Sequence, residues 1–297
     1  MKIAIFGKYF KEEKFSEIQE LFEKLLSRKI YFSIYRKYFD DCIRNGINLP
    51  SNQPKFNNHE EFVLGDFDYL FCIGGDGTIL NCVEIMQDRP IPLVGINTGR
   101  LGFLAGVAAK NASTIITELE HGRFTKDKRT LLELASNRPL FGGVKYALND
   151  FVLHKKDSSS MITIHSYING EFLNSYWSDG LIISTPTGST GYNLSCGGPI
   201  LYPSSQSFVI TPIAPHNLNV RPIIISDQNV LSFEIEGRNS SFLATLDSRS
   251  ESIDKSTQLA IKKADFEICL LRFNGDNYLN TLREKLLWGH DNRNFKA

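Results

Sequence analysis

The sequence predicts an α/β N-terminal domain with a parallel sheet, a mostly antiparallel β-rich second domain, and a final helix that packs back on the first domain. Strand-like and helix-like segments alternate in the first part of the chain, which favours a parallel sheet covered on both faces. After Lys126 the segments become strand-like and are separated by turn residues, which favours antiparallel pairing. The predicted domains are residues 1–125, 126–275 and 276–297.

The first domain begins with the apolar strand KIAIF at residues 2–6, and apolar residues at helical spacing follow it. Its other predicted elements are strands at 30–35, 68–73 and 91–97, helices at 78–86 and 112–121, and a polar loop at 45–58.

The second domain contains segments rich in β-branched and aromatic residues, with turn sequences such as Asn169-Gly170 between them. Its predicted strands are 131–135, 144–150, 161–168, 181–185, 230–236 and 266–273. Near the end of the chain, Leu279, Leu282 and Leu286 return to helical spacing, which predicts the final helix.

Composition bounds the class of protein. Lys+Arg and Asp+Glu number 33 each, so the formal net charge is zero, and no global attraction to nucleic acid or anionic membrane is expected. The five cysteines are odd in number and form no CxxC, which is typical of reduced thiols in a cytosolic protein. The N-terminus reads as a strand rather than a signal peptide, and no apolar run of about 18 residues predicts a membrane span. We therefore expect a cytoplasmic protein.

The stretch FCIGGDGTIL, residues 71–80, places Gly74, Gly75 and Gly77 around Asp76, where a strand ends and a helix begins at Thr78. Ligands of open α/β sheets bind at the carboxyl ends of strands, where exposed N–H groups and the helix dipole favour phosphate. The stretch is neither a GxxxxGK[ST] loop nor a Rossmann fingerprint. A tight turn in which the aspartate only caps the helix is the alternative interpretation.

Three further stretches are unusual. Residues 179–201, DGLIISTPTGSTGYNLSCGGPIL, combine small hydroxyl side chains with glycines, which suits a ribose, a phosphate or an amide, although surface loops share this composition. Asn149-Asp150 lies between two strand-like segments and is by itself most typical of a turn. In GINTGRLGFLA, residues 95–105, the apolar side chains favour a core role, and one aromatic residue is available to lie against a base.

Together and in this order, these stretches resemble the NAD kinase family, through GGDGT (74–78), GINTGRLGFLA (95–105), NDFVLHK (149–155) and the 179–201 block. The tail LREKLLWG, residues 282–289, is also similar to the closing helix of that family. GGDGT alone is less specific, because diacylglycerol, sphingoid and phosphofructo-type kinases share it.

The resemblance implies an enzyme that transfers the γ-phosphoryl group of ATP to the 2′-hydroxyl of the adenosine ribose of NAD, with a divalent metal, usually Mg²⁺. It implies that Asp76 is the general base, that Gly77 lines the same turn and that Phe103 lies near the adenine. Asp76 as a metal ligand stays open, and no other side chain is assigned to the metal. Homodimers or homotetramers are usual in the family.

The resemblance also implies the residues that hold NAD. Asn149 and Asp150 hold the adenosine ribose and nearby polar groups, and Asp179 binds the nicotinamide side. The residues that bind the dinucleotide are Thr187, Thr190, Gly191, Tyr192, Asn193, Leu194 and Ser195. Where relatives often carry glutamine, two residues after an aspartate of a late turn, this chain has Arg249.

Two other functions are alternatives. A lipid or sphingoid kinase would share GGDGT, but the neutral charge and the dense polar loop favour a dinucleotide over an acyl chain. A non-catalytic NADP-binding regulator would share the fold, but it would have no need of a base such as Asp76.

Overall fold

The computed structural model describes residues 1–8, 10–99, 102–156, 161–238, 240–273 and 275–288. The chain forms two compact units, residues 1–127 with 269–297, and residues 128–268. Arg100 and Leu101 of the 95–105 motif, and residues 289–297 of the predicted final segment, lie outside the described residues.

The helices of the described residues are α1 (Phe15–Ser27), α2 (Arg36–Arg44), α3 (His59–Gly65), α4 (Asp76–Met86), α5 (Ala112–Glu120), α6 (Tyr192–Ser195) and α7 (Tyr278–Leu286). The strands of the first part of the chain are β1 (Lys2–Gly7), β2 (Tyr31–Tyr35), β3 (Lys55–Phe56), β4 (Tyr69–Ile73), β5 (Leu93–Asn97) and β6 (Val107–Ala108). The later strands are β7 (Thr125–Ser136), β8 (Tyr146–Ala147), β9 (Asp150–Lys155), β10 (Ile162–Ile168), β11 (Glu171–Ser178), β12 (Gly180–Ser184), β13 (Ser207–Ile213), β14 (Ile223–Ser226), β15 (Leu231–Glu236), β16 (Ser241–Leu246), β17 (Arg249–Asp254) and β18 (Leu259–Arg272).

The first unit is built on a parallel sheet in the order β5-β4-β1-β2-β3, with β6 paired to the end of β5. Strands β4 and β5 are apolar and almost entirely buried, as expected when helices cover both faces of a sheet. On α1 the buried residues Ile18, Leu21, Phe22 and Leu25 recur at helical spacing and join the core of this unit. The predicted parallel α/β domain is therefore confirmed.

The second unit is antiparallel. One sheet has the order β14-β13-β12-β9-β16-β17, and β11-β10-β15-β18 form another antiparallel run. Phe151 and Ile183 of the first sheet and Ile164 and Phe233 of the second run belong to one buried core. The predicted β-rich domain is confirmed as well.

The long strand β18 determines where the second unit ends. Leu231 of β15 pairs with Ile261 near its start, whereas Leu270 pairs in parallel with Leu93 of β5. The second unit accordingly ends at residue 268, whereas the sequence predicted a domain boundary after 275. Helix α7 belongs to the first unit, as the fold prediction required. Within the described ranges, no helix has the length and apolar character needed to cross a bilayer.

Candidate active site

The glycine turn between β4 and α4 leaves its main chain open. Gly74 has a φ of +154°, and a Cβ there would lie 2.2 Å from the Thr78 Oγ1, so this position requires glycine. Gly75 and Gly77 are exposed, and a Cβ at either would meet no atom within 4 Å. Among the described residues, the N–H groups of Gly75, Asp76 and Gly77 have no hydrogen-bond acceptor. Free N–H groups at the start of a helix of 11 residues are suited to bind phosphate oxygens.

Asp76, the first residue of α4, holds a second segment of the first unit. Its Oδ2 accepts the N–H of Phe103 at 2.7 Å, and its Oδ1 accepts those of Leu104 at 3.0 Å and Ala105 at 3.1 Å. A Cβ at Gly102 would lie 1.9 Å from Oδ1, so this close approach requires glycine. A carboxylate has about four lone-pair sites, so three main-chain bonds orient Asp76 and leave one on Oδ2 for a further partner.

In the second unit, Asp247 performs the same task for the segment that contains the Asn149-Asp150 pair. Asp247 follows β16 with a φ of +52°, and its carboxylate accepts the N–H groups of Leu148 at 2.8 Å, Asn149 at 2.8 Å and Asp150 at 3.1 Å. Burial raises the pKa of Asp247 to about 6, while these three N–H groups and Arg249 act in the opposite direction. The Asn149-Asp150 turn is thus fixed from a distant part of the sequence.

Arg249 anchors the strand that precedes this turn. Its guanidinium donates to the carbonyl of Val144 at 3.0 Å and to the carbonyl of Tyr146. The resemblance to the family left the role of Arg249 open, and in the structure its guanidinium binds the main chain.

Asp150 and Asn149 each place a buried polar group in the second unit. Asp150 is 6% exposed, and burial together with the neighbouring Asp247 raises its pKa to about 7. The Oδ1 of Asn149 is buried and has no hydrogen-bond donor among the residues that the structure describes. Buried acceptors are normally hydrogen-bonded, and a bound ligand can supply the missing donor.

The loop after β12 packs directly against this turn. The Thr185 N–H donates to the Asn149 carbonyl at 2.9 Å, and the Thr185 hydroxyl donates to the Leu148 carbonyl at 2.6 Å. A Cβ at Gly188 would lie 2.2 Å from the Asn149 carbonyl oxygen, so only glycine allows this contact. The structure therefore brings together two stretches that the sequence analysis singled out separately.

Asn193 is wholly buried and holds the loop itself. Its Nδ2 donates to the carbonyls of Ser189 at 3.0 Å and Pro199 at 2.9 Å, and its Oδ1 accepts the Thr211 hydroxyl at 2.6 Å. All the side-chain polar atoms of Asn193 are used inside the protein. Its predicted contact with a dinucleotide stays a prediction, and the structure gives the side chain a supporting position.

Other predicted loop residues are more accessible. Tyr192 and Ser195 are exposed, while Thr190, Gly191 and Leu194 are half-buried. Thr187 is buried, and its hydroxyl accepts a hydrogen bond from Arg129 at 3.3 Å. Asp179, at the start of the block, is half-buried and forms an ion pair with Lys155 at 2.6 Å.

Comparison with known proteins identifies the family. A model of the ATP-NAD kinase N-terminal domain matches residues 4–124, and a model of the ATP-NAD kinase C-terminal domain matches residues 148–273. The NAD kinase of Cytophaga hutchinsonii is 50% identical over 99% of this chain and 100% of its own length. The NAD kinase of Flavobacterium psychrophilum is 44% identical over 99% of this chain and 100% of its own length.

The chain belongs to the NAD kinase family.

Solved structures agree on the fold. The structure of yeast NADH kinase complexed with NADH has a TM-score of 0.88 at 23% identity and covers 100% of this chain and 90% of its own. An NAD kinase from Archaeoglobus fulgidus in complex with ATP has a TM-score of 0.72 at 24% identity, covering 97% of this chain and 99% of its own. The two-unit architecture is thus that of NAD kinases.

Three residues of this NAD kinase family member have site contacts that sequence reasoning did not predict. Asp247 binds the Asn149-Asp150 turn, Arg129 is almost fully buried and donates to Thr187, and Arg272 contacts the segment that Asp76 holds. None of the three carried a local sequence signal, and Arg129 in particular follows the charged residues Lys126, Asp127 and Lys128 and precedes the predicted strand 131–135.

Proposed function

We propose that this protein transfers the γ-phosphoryl group of ATP to the 2′-hydroxyl of the adenosine ribose of NAD, producing NADP and ADP. The observation that carries the proposal is Asp76, a carboxylate oriented by three main-chain N–H groups beside a glycine turn with free N–H groups. The names of relatives matched over their full length support the same activity.

The glycine turn is proposed to bind the phosphates of ATP. Gly75 and Gly77 are exposed, and their N–H groups have no acceptor among the described residues at the beginning of α4, where the helix dipole favours negative charge. Phosphoryl transfer depends mainly on positioning and on neutralising charge, which main-chain donors supply without further chemistry.

The proposal includes Mg²⁺ as part of the MgATP substrate. Within the described ranges, no group of three or more His, Cys, Asp or Glu residues is arranged to hold a metal ion. Mg²⁺ often keeps several waters and binds through one or two carboxylates and the substrate phosphates, so the residues present fit an ion that enters with ATP. When bound, it would neutralise phosphate charge. Asp76 has one remaining lone pair, which we assign to the ribose hydroxyl, so the ion would be held by the ATP phosphates and water.

Asp76 is proposed as the general base. A ribose hydroxyl is a weak nucleophile at neutral pH, and a carboxylate that accepts its proton during attack accelerates such reactions by about 10²–10⁴-fold. The Oδ2 atom, which accepts one main-chain bond against two for Oδ1, is the oxygen we assign to this role.

NAD is proposed to bind to residues of the second unit. The buried Oδ1 of Asn149 requires a donor, and Asp150 offers a carboxyl whose ionisation lies near neutral pH. A hydroxyl or amino group of the adenosine half of NAD would donate to the Asn149 Oδ1 and bind the Asp150 carboxyl. Asp179, Thr187 and residues 190–195 keep their predicted roles in this proposal, and Phe103 of the first unit keeps its predicted role near the adenine.

The decisive assay mixes the protein with MgATP and either NAD, diacylglycerol or sphingosine, and detects NADP by enzymatic cycling. We expect NADP, and activity on a lipid alone would favour the lipid-kinase alternative. Asp76→Asn should lower kcat by about 10²–10⁴-fold while NAD still binds in calorimetry. Unchanged turnover would contradict the base assignment, and wild-type binding of NADP without turnover would favour the regulator.

We further propose a cytoplasmic homodimer or homotetramer that needs neither nucleic acid nor membrane. The zero formal charge and five cysteines that form no disulfide support the cytoplasmic location and the lack of a nucleic-acid partner, and the oligomeric state is proposed from the resemblance to the family. Light scattering gives the oligomer number, and parallel assays with NAD and NADH give the preferred substrate.

A further inference from the structure

Arg272, the last residue of β18, makes an unusual set of contacts within the first unit. Its side chain is 11% exposed, and its guanidinium donates to the carboxylates of Asp127 at 2.9 Å and Asp276 at 3.0 Å. The same guanidinium donates to the carbonyl oxygens of Phe103 and Leu104, each at 3.1 Å. Ion pairing alone would not require these two carbonyl contacts.

The two carbonyls belong to the segment that Asp76 holds. The N–H groups of residues 103–105 point to the Asp76 carboxylate, and the carbonyls of Phe103 and Leu104 point to Arg272. The segment is therefore bound through its donors to one side chain and through its acceptors to another. Displacing it at the carbonyl side would move the donors that orient Asp76.

The Arg272 side chain is itself tightly held. Asp127 and Asp276 bind its Nε and Nη1 atoms, so the guanidinium plane has little freedom to rotate. A Cβ at Gly106 would lie 1.9 Å from the Asp276 Oδ2 and 2.9 Å from the Arg272 Nη1, so the chain passes very close to this cluster. Such enclosure gives a side chain the rigidity that a positioning role needs.

We propose that Arg272 is a positioning residue for the phosphoryl transfer, acting on Asp76 through the main chain of residues 103–105. The proposal rests on the proposed function, because it assigns the orientation of the base of that reaction. Arg272 contacts neither substrate in this proposal. Its effect is confined to the geometry of the Asp76 carboxylate, where a displacement of about 1 Å lowers rates by up to about 10²-fold.

The test replaces Arg272 by lysine, which keeps the positive charge between the two aspartates but lacks the planar fork that reaches both carbonyls. We expect R272K to lower kcat at least about tenfold and to change the KM for NAD by less than about twofold. The matched control is R123K, because Arg123 makes a two-bond pair with Glu118, at 2.9 and 2.8 Å, at the exposed surface of the same unit. R123K should retain the wild-type kcat.

A double mutant separates positioning from general structural damage. With Asp76→Asn present, adding R272K should lower the residual kcat by less than about twofold, because the group that Arg272 orients has lost its function. An equal loss in both backgrounds would overturn the proposal, and so would an R272K enzyme whose kcat falls by less than about tenfold.

Hydrogen exchange gives a readout that does not depend on activity. The amides of residues 103–105 should exchange faster in R272K than in the wild type or R123K, and unchanged exchange would overturn the proposed contact. If the wild type fails to phosphorylate NAD, the proposed function fails while this measurement still tests the contact. Should R272K not fold, Gly106→Ala displaces the same cluster without removing a charge and should produce the same pattern.

Discussion

Replacing Asp150 by asparagine removes a carboxyl group that the second unit buries at a cost in stability. Asp150 is 6% exposed, and burial, followed by the nearby Asp247, raises its pKa from an ordinary 3.8 to about 7. A carboxyl whose pKa is raised on folding binds more protons in the folded state than in the unfolded state. Relative to the ionised carboxylate, the protonated carboxyl of Asp150 stabilises the folded state. This stabilisation is complete below pH 3.8 and is lost as the pH rises through about 7.

The size of the effect follows from that shift. One pKa unit corresponds to about 1.4 kcal/mol, so full ionisation of Asp150 opposes folding by roughly 4 kcal/mol. Between about pH 5.5 and about pH 8, the wild type should lose about 2 kcal/mol of unfolding free energy through this one group. Asparagine keeps the shape and does not ionise, so Asp150→Asn should abolish this part of the pH dependence.

The assay is chemical denaturation of both proteins at these two pH values, with unfolding monitored by intrinsic fluorescence. Asp254→Asn is the matched control, because it is the same substitution in an exposed residue whose pKa is lowered by hydrogen bonds from Ser256. The control should lose stability with pH as the wild type does. A variant at position 150 that keeps the wild-type pH dependence would refute the reasoning.

Two further predictions concern the same turn. Asn149→Ala should raise the KM for NAD about tenfold with little change in kcat, because it removes the unpaired Oδ1 acceptor; a loss confined to kcat in steady-state kinetics would contradict this role. Gly188→Ala should lower the unfolding free energy by about 1–3 kcal/mol in denaturation, because its Cβ would lie 2.2 Å from the Asn149 carbonyl oxygen. A variant as stable as the wild type would show that the loop can move aside.

The sequence predicted best those elements that have both apolar periodicity and glycine. A helix was predicted at 78–86 and α4 spans Asp76–Met86, so it begins two residues earlier than predicted. The difference has a physical reason, because Asp76 and Gly77 of the predicted turn already form the first turn of the helix. Glycine indicates a change of direction but does not indicate at which residue the helix begins.

Helices α2 and α3 and the strands β16 and β17 were not predicted. Helix α2 begins directly after β2, and Tyr35 at its N-cap makes no side-chain capping bond, so no start signal is present. Helix α3 does have a signal, since the Asn58 side chain accepts the Glu61 N–H, but the loop predicted at 45–58 ended at that residue. The hairpin of β16 and β17 turns at Asp247 without glycine, with a φ of +52°.

The candidate site was predicted in part. The sequence named Asp76, Asn149 and Asp150, but it indicated neither Asp247 nor Arg272 as their supports. Asp247 lies 97 to 99 residues from the N–H groups it binds, and Arg272 lies 168 and 169 residues from its two carbonyls. Local periodicity carries no information about pairs so far apart. The polar loop at 185–195 predicted ligand contacts, whereas Asn193 uses its polar atoms on the carbonyls of Ser189 and Pro199 and on the hydroxyl of Thr211.

The bonds to Asp76 come from the main chain, and this has a consequence for how the site can vary. Every amino acid except proline provides an N–H group, so a side-chain replacement at the half-buried position 103 leaves its donor in place. Only a proline deletes a donor, one at a time and at a known position. The orientation of the carboxylate therefore does not depend on which side chain stands at 103, whereas Leu104 and Ala105 are themselves buried in the core.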